Sequence, residues 1–354
     1  MFLSVSVRLL ANIEALNMVE SVGNVARHRR APIIAPMENG YVLTYVPVVS
    51  GECLGHSYQY WLAKIAEQRE IPVCANCKQG FFVKHSDINI FGSLPWEQDL
   101  LNKIKTEKKE SKKSGQELEK IQPEEIETII VKNCAVEDIG GFLLPEEIPA
   151  KRTSKFQVSF MVPAYEQLKA VAAEAQFHVR YAPEPKLHRI FYTESGSALY
   201  TFRFDLDVNE IGCITGQKRE SVLTPDERRK RVALAIDAIA HMLENRIFGA
   251  RLSRYTPISE IRSLLVLVSR PLPFTASAGH EPSFIDDSEK RADAFLTLFN
   301  EEKIDGWFIT KEEVKEGQEK RKEGSTGRLN ISKVNTVSEA FKMARDLILN
   351  ELKS

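Results

Sequence analysis

The sequence predicts an α+β fold on a ferredoxin-like β-α-β-β-α-β plan carrying large insertions. Three observations carry that expectation. Strand patterns open the chain and recur at residues 155–163, 197–207 and 261–269. Helical patterns at 50–70 and 224–249 fall between them in the order this plan needs. The 354 residues, 43% of them hydrophobic, exceed what six elements use, so insertions take up the remainder.

Each element has a local reason. "FLSVSVRLL" alternates apolar and polar residues, as a half-buried strand does. Residues 33–49 hold Asn39-Gly40 between two apolar runs, which predicts a hairpin with those two residues at the centre of a type I′ turn. In the helix that follows, Leu54, Tyr58, Leu62 and Ile65 recur at helical spacing, and Ser50 is a natural N-cap. Residues 103–128 are nearly all charged and read as a mobile, solvated insertion. "KFQVSFMVP" and "SALYTFRFDLD" are strands. Thr224, Pro225 and Glu227 give the next helix an N-cap, an N1 proline and a capping box, and Gly249 is its stop. "IRSLLVLVS" is a buried strand, and Thr336 with Glu339 opens a last helix.

A net charge of −1 with 27% charged residues excludes a polyelectrolyte, so any nucleic-acid binding must come from local clusters. The opening "MFLSVSVRLLANI" lacks a basic region ahead of its apolar run, and no window reaches the ~18 apolar residues of a membrane helix. Five cysteines do not suit a secreted disulfide scaffold. A cytoplasmic protein without membrane contact is expected.

The strongest local cluster is "VESVGNVARHRRAP", residues 19–32. Arg27, His28, Arg29 and Arg30 stand in a row beside Gly23 and Asn24 and are closed by Pro32. Arg and His donate to phosphate oxygens, Asn24 can donate to ribose or phosphate, and Gly23 would permit close backbone approach. The competing reading is a solvated loop. Ser50 and Gly51 open a helix whose N-terminus suits an anion. His56 lies about 200° around that helix from Leu54, away from the core stripe. Arg152 in "KRTS" is a phosphate-ligand candidate. His178 and Arg180 share one strand face, and Arg251 and Arg254 follow the Gly249 stop. "ERRKR", 227–231, reads as a solvated helix start.

Cys74, Cys77 and His85 form a C-x₂-C knuckle with a nearby imidazole, which has structural-zinc character; a disulfide and free thiols are the alternatives. Cys53 and His56 are candidates for a fourth ligand, while Cys134 and Cys213 read as small core residues. Asp205 and Asp207 lie on one strand face and could hold a divalent metal, which keeps a metal-dependent ribonuclease as an alternative. P-loop, G-x-G-x-x-G in strand-helix context, H-E-x-x-H and G-x-S-x-G motifs are absent, and no helix-turn-helix is visible to favour a sequence-specific DNA-binding autoregulator.

Several ordered blocks carry a resemblance: "LNMVESVGNVARHRRAP", "VPVVSGECLGHSYQ", "VEDIGGFLLP", "KRTSKFQVSFMVPA", "EAQFHVRY", "SALYTFRFDLD" and "FGARLSRYTP". Together they resemble the DevR-type CRISPR-associated proteins, the guide-RNA-binding backbone subunits of archaeal type I-A Cascade. The resemblance implies one RRM-like palm over residues 1–354, decorated by finger and thumb insertions. On this plan 70–150 is an inserted helical finger region, 155–270 the second half of the palm with a thumb-like insertion, and 290–354 a C-terminal α/β extension. It implies further copies stacked in a helical array along a guide RNA, other Cascade subunits as partners, and target DNA reached through the guide. It implies no catalysis and no required cofactor, and it singles out Asn24, His28 and Arg29 as RNA-binding.

Overall fold

The computed structural model describes residues 1–110, 121–145, 148–170, 172–215, 220–248, 258–312 and 327–352. In chain order its elements are β1 (Phe2–Glu14), β2 (Met18–Val22), β3 (Val25–His28), β4 (Arg30–Met37), β5 (Gly40–Pro47), α1 (Gly51–Gln68), α2 (Ala75–Lys78), α3 (Pro95–Glu110), α4 (Pro123–Asn133), α5 (Ala135–Gly140), β6 (Phe142–Leu144), β7 (Ala150–Arg152), β8 (Phe156–Val158), β9 (Val162–Pro163), β10 (Ala172–Arg180), β11 (Arg189–Asp207), α6 (Pro225–Glu244), β12 (Ile258–Arg270), α7 (Phe284–Leu298), β13 (Lys303–Thr310), β14 (Leu329–Lys333) and α8 (Val337–Glu351). This is a mixed α+β fold. The chain divides into two compact units, one of residues 1–57, 158–205 and 242–344, the other of 58–157, 206–241 and 345–354. No helix among the described residues is long and apolar enough to cross a membrane.

The first unit is organised on a large mixed sheet of order β14-β13-β12-β1-β11-β3-β2, with β8, β9 and β10 also paired to β11. β1 and β12 run antiparallel from Phe2↔Ser269 to Asn12↔Ile258. The alternation of β1 predicts a solvated polar face, but Ser4, Ser6 and Arg8 are buried along with Leu3, Val5, Val7 and Leu9. That face is covered by polar partners rather than water. Ser4 donates to Asp205 Oδ1 at 2.5 Å and accepts from the Ala276 amide at 3.0 Å. Arg8 pairs with Glu166 and Glu312 and donates to the Gly279 carbonyl. A second core packs α7 against β12, β13 and β14 through Leu265, Leu267, Phe284, Leu296, Ile304, Phe308 and Leu329.

β4 and β5 form a separate two-stranded ribbon. Met37 and Gly40 are register partners, so the two-residue loop is Glu38-Asn39 rather than Asn39-Gly40. Only Gly40 takes positive φ, at 127°, which shifts the predicted turn by one residue. Opposite residues on paired strands share a face. Pro32↔Tyr45, Ile34↔Leu43 and Pro36↔Tyr41 therefore line one face, and all six are exposed.

The second unit holds α2–α5 and the β6–β7 pair. Residues 103–128, expected to be mobile and solvated, are partly core. Ile104, Ile121 and Ile126 are buried with Leu100, Ile130, Phe142 and Leu144. Apolar side chains at helical intervals override the surrounding charge; residues 111–120 of the insertion lie outside the described residues. Arg152, expected to bind phosphate, is instead buried. It pairs with Glu127 at 2.8 Å and with Asp138, and donates to the Glu210 and Cys213 carbonyls. Arg231, from the helix start that reads as solvated, is buried too and pairs with Asp138 at 2.9 Å. A buried guanidinium is tolerable only when its donors are matched, and these are.

The α6 capping box forms as expected: Glu227 N donates to Thr224 Oγ1 at 3.3 Å and Thr224 N to Glu227 Oε2 at 2.8 Å. The helix ends at Glu244, short of Gly249, which lies outside the described residues. At α8 the Glu339 amide reaches Thr336 Oγ1, but its carboxylate accepts from the Asn335 amide instead of completing the box on Thr336.

Arg152→Ala leaves buried Glu127 without its cation and Asp138 with Arg231 alone. We expect a loss of about 3–5 kcal/mol of stability, measured by urea denaturation; an unchanged midpoint would return Arg152 to the surface.

Candidate nucleic-acid interface

The basic cluster at residues 27–30 is not a loop. Residues 18–28 form the β2–β3 hairpin, with Val22 opposite Val25 across the turn Gly23-Asn24. Gly23 has φ of 63°, the positive value that the first central position of a type II′ turn requires. A Cβ there would meet nothing within 4 Å, so the glycine serves the turn and not a close approach. Asn24 and Arg27 are exposed. His28 is buried, which corrects its reading as an exposed phosphate donor. Its amide donates to Glu194 Oε2 at 2.9 Å, and its Nδ1 lies 2.9 Å from the Arg29 carbonyl. Burial pulls the His28 pKa below the usual imidazole value, and Arg30 adds to this, while the Arg29 carbonyl and Glu194 oppose it.

Arg29 is half-buried and is held from below by Asn17, a residue that no motif singles out. The Arg29 amide donates to the Asn17 carbonyl at 2.7 Å and Arg29 Nε to Asn17 Oδ1 at 3.1 Å. The same Oδ1 accepts from the Ser50 amide at 2.9 Å. Asn17 thus ties the basic segment to the N-terminus of α1. Ser50 caps that helix through Cys53 N at 3.3 Å, but it is buried. The Glu52 carboxylate is held below the usual range by its own amide and the Ser50 hydroxyl. At Gly51 a Cβ would lie 2.7 Å from the Val158 carbonyl oxygen, so close backbone approach explains this glycine. Ser50 and Gly51 build the helix start and do not present an open ligand site. His56 is exposed on α1.

The clearest constellation lies on β10 and β11. These strands pair antiparallel from Ala172↔Ser197 to Arg180↔Arg189, and β3 pairs with β11 in parallel at Tyr192↔Val25 and Thr193↔Ala26. Arg180, His178 and Gln176 share a face with Arg189, Phe191 and Thr193. His178 stacks on Phe191 with centroids 5.2 Å apart and an interplanar angle of 19°. The Arg180 guanidinium sits 5.4 Å from the same ring centroid. The shared face expected of His178 and Arg180 is thus observed. Sequence reasoning misses Arg189, although Pro183, Glu184 and Pro185 signal a turn that places it opposite Arg180. Arg180 and Arg189 are exposed, and among the described residues neither pairs with a carboxylate. Like charges directly across strands repel, so this pair favours an anion between them. Exposed Phe177 lies on the opposite face of β10 against Tyr192, and exposed Tyr181 follows the strand. Cations interleaved with aromatic rings suit a single-stranded nucleic acid, which offers phosphates and stackable bases.

The remaining candidates separate from this face. Arg251 and Arg254 lie outside the described residues. Asp205 is buried, accepting from Ser4 and from Arg203 Nε at 2.9 Å. Asp207 accepts from the Asn209 amide. Cys74, Cys77 and His85 are buried together in the second unit, joined by Cys134, Glu137 and Glu97 and not by Cys53 or His56.

Comparison with known proteins identifies the family. Residues 5–289 match the family model described as CRISPR-associated negative auto-regulator DevR/Csa2. A Saccharolobus solfataricus protein named CRISPR-associated protein Cas7/Csa2 1 is 35% identical over 310 residues, covering 85% of this chain and 89% of the relative. A second protein of that organism, named CRISPR-associated aCascade subunit Cas7/Csa2 2, is 33% identical over 323 residues, covering 89% and 94%. Among solved structures, a chain of a CRISPR RNA-guided surveillance complex, pre-nicking, superposes with a TM-score of 0.54 at 10% identity, covering 99% of both chains.

Two outcomes are expected. Arg180→Ala with Arg189→Ala removes two exposed cations, each charge-assisted contact being worth roughly 1.5–3 kcal/mol. Single-stranded RNA affinity measured by anisotropy should fall at least about ten-fold, with an unchanged melting temperature. His28 is different. The unfolded imidazole protonates near 6.5 and the folded one only at lower pH, so the unfolded state binds more protons below that value. Stability should be full above pH 6.5 and fall as pH drops below it. Denaturation of His28→Gln should show a shallower fall over that window; an identical slope would show that His28 does not contribute.

Proposed function

The chain belongs to the CRISPR-associated DevR/Csa2 family, and from that membership we propose that it is a guide-RNA-binding backbone subunit of a type I-A Cascade surveillance complex, acting in the cytoplasm. The observation that carries the reading is the Arg180–Arg189 couple, without a carboxylate partner among the described residues, beside Phe191 and His178. The names of the aCascade relative and the surveillance-complex neighbour support it. A scaffold that leaves sequence reading to base pairing must hold phosphates and sugars without preference among bases. Exposed Arg27 on β3 extends the basic character along the same sheet, half-buried Arg29 and exposed Arg30 continue it into the β4–β5 ribbon, and exposed Asn24 stands at the β2–β3 turn.

The strand order supports an RRM-like palm. β1 lies between β12 and β11, and β8 and β9 pair with β11, which is the 4-1-3-2 order of a β-α-β-β-α-β unit. Further copies of the same chain would stack through the outward face of the β4–β5 ribbon. Tyr41, Leu43, Tyr45 and Ile34 are 62–81% exposed there, an apolar ladder that a soluble chain gains by covering. Bound guide would then pair with target DNA, and other Cascade subunits would join the array.

The subunit is read as non-catalytic. Asp205, the leading acidic candidate, is committed to Ser4 and Arg203. The test is incubation of labelled RNA with Mg²⁺. Intact RNA is expected, whereas metal-dependent cleavage by wild type that Asp205→Ala loses would establish the ribonuclease reading.

RNA binding should be cooperative, indifferent to base sequence and steeply salt-dependent. Removing Arg180 and Arg189 should lower the magnitude of the log–log salt slope by about 1.4, since each single-strand phosphate contact contributes about 0.7. Preferential binding of one duplex DNA sequence would favour the autoregulator named in the family description. Tyr41→Glu with Leu43→Glu should abolish RNA-dependent assembly in sedimentation velocity while monomer binding to a short RNA persists; assembly at wild-type levels would remove the ribbon from the interface.

A further inference from the structure

The second unit contains a buried donor set that guide binding does not use. Cys74 is the N-cap of α2, and its Sγ accepts from the Cys77 amide at 3.5 Å. This contact turns the two thiols of the C-x₂-C knuckle toward one side. Cys134 sits where α4 meets α5, and the neighbouring Ala135 amide donates to the Pro72 carbonyl at 2.9 Å, fastening that corner to the knuckle. Glu137 follows three residues later on α5. Its Oε1 lies 3.3 Å from Cys74 Sγ and 4.0 Å from Cys77 Sγ. The ligand atoms of all four residues fall within 4.8 Å of one another. A tetrahedral zinc with Zn–S near 2.3 Å separates its sulfurs by about 3.8 Å, so the four are spaced as one ion requires.

We infer that Cys74, Cys77, Cys134 and Glu137 bind one structural zinc ion, with His85 orienting the carboxylate. His85 Nδ1 lies 2.7 Å from Glu137 Oε1, and its Nε2 lies 3.3 Å from Glu97 Oε1. A carboxylate ligand steadied by an imidazole is how metal ligands are held in register. Glu137 is fully buried, and its Oε2 has no hydrogen-bond partner. A buried carboxylate with an unmatched oxygen beside three thiols is costly as a plain core and is accounted for by a cation. Three thiolates and a carboxylate would leave a net negative site around the dication. His85 lies against it, and Lys84, bonded to the Gly140 carbonyl at 2.6 Å, stands close enough to feel the charge of Glu137. A disulfide would use two of the three thiols and leave the third beside Glu137. The thiol-rich set favours zinc over magnesium or calcium. The ion would tie the α2 segment to the α4–α5 corner across the intervening insertion.

The test is metal analysis of the full chain purified without chelator. About one zinc per chain is expected, absent from Cys134→Ser and Glu137→Ala but retained by Cys53→Ser and Cys213→Ser. Because ligand variants can misfold, wild type is also stripped with chelator and titrated with Co²⁺. Thiolate-to-cobalt charge transfer and the visible bands of tetrahedral cobalt should appear at one equivalent, and Zn²⁺ should restore the melting temperature lost on stripping. Zinc-free protein with a chelator-insensitive melting temperature, full zinc in Cys134→Ser, or octahedral cobalt spectra would each overturn the site.

Discussion

The backbone pairing of β11 is the constraint on which the first unit depends. Its 19 residues hydrogen-bond to β1, β3, β8, β9 and β10. Amides and carbonyls in a buried strand must find partners, so a strand of this length dictates where its neighbours lie. Its two halves do different work. Tyr200, Phe202 and Phe204 are buried in the sheet, while Arg189–Phe191 run out with β10 into an exposed hairpin. A rigid interior half therefore positions a solvent-facing cationic half, and recognition chemistry on a strand is held more precisely than on a loop.

Net charge conceals this arrangement. Arg8, Arg152 and Arg231 are buried and matched by carboxylates, so they contribute nothing to an external field. The exposed cations at Arg27, Arg30, Arg180 and Arg189 act locally, and a repeating array would concentrate them along a nucleic acid without a basic subunit.

The strands and the long helices are legible in the sequence because apolar spacing reports the period directly. The same period puts His178 and Arg180 on one face. It fails where burial depends on distant partners. Nothing in "KRTS" distinguishes a phosphate ligand from the guanidinium that Asp138 and Glu127 enclose. The alternation of β1 does not reveal that segment 274–280 covers its polar face. His28 reads as exposed among arginines, and its burial, with Glu194 of β11 accepting from its amide, shows otherwise. Cys134 reads as a small core residue and Glu137 is not singled out because both lie far along the chain from Cys77, although a Cys and a Glu three apart at a helix start is a readable sign.

On this reading the β10–β11 hairpin and residues 24–30 hold single-stranded RNA. Ultraviolet crosslinking of the full chain to a photoreactive guide-length RNA, with peptides mapped by mass spectrometry, tests it most directly. Crosslinks are expected at His178 or Phe191 and within residues 24–30. Crosslinks confined to the second unit, with none on either segment, would contradict it.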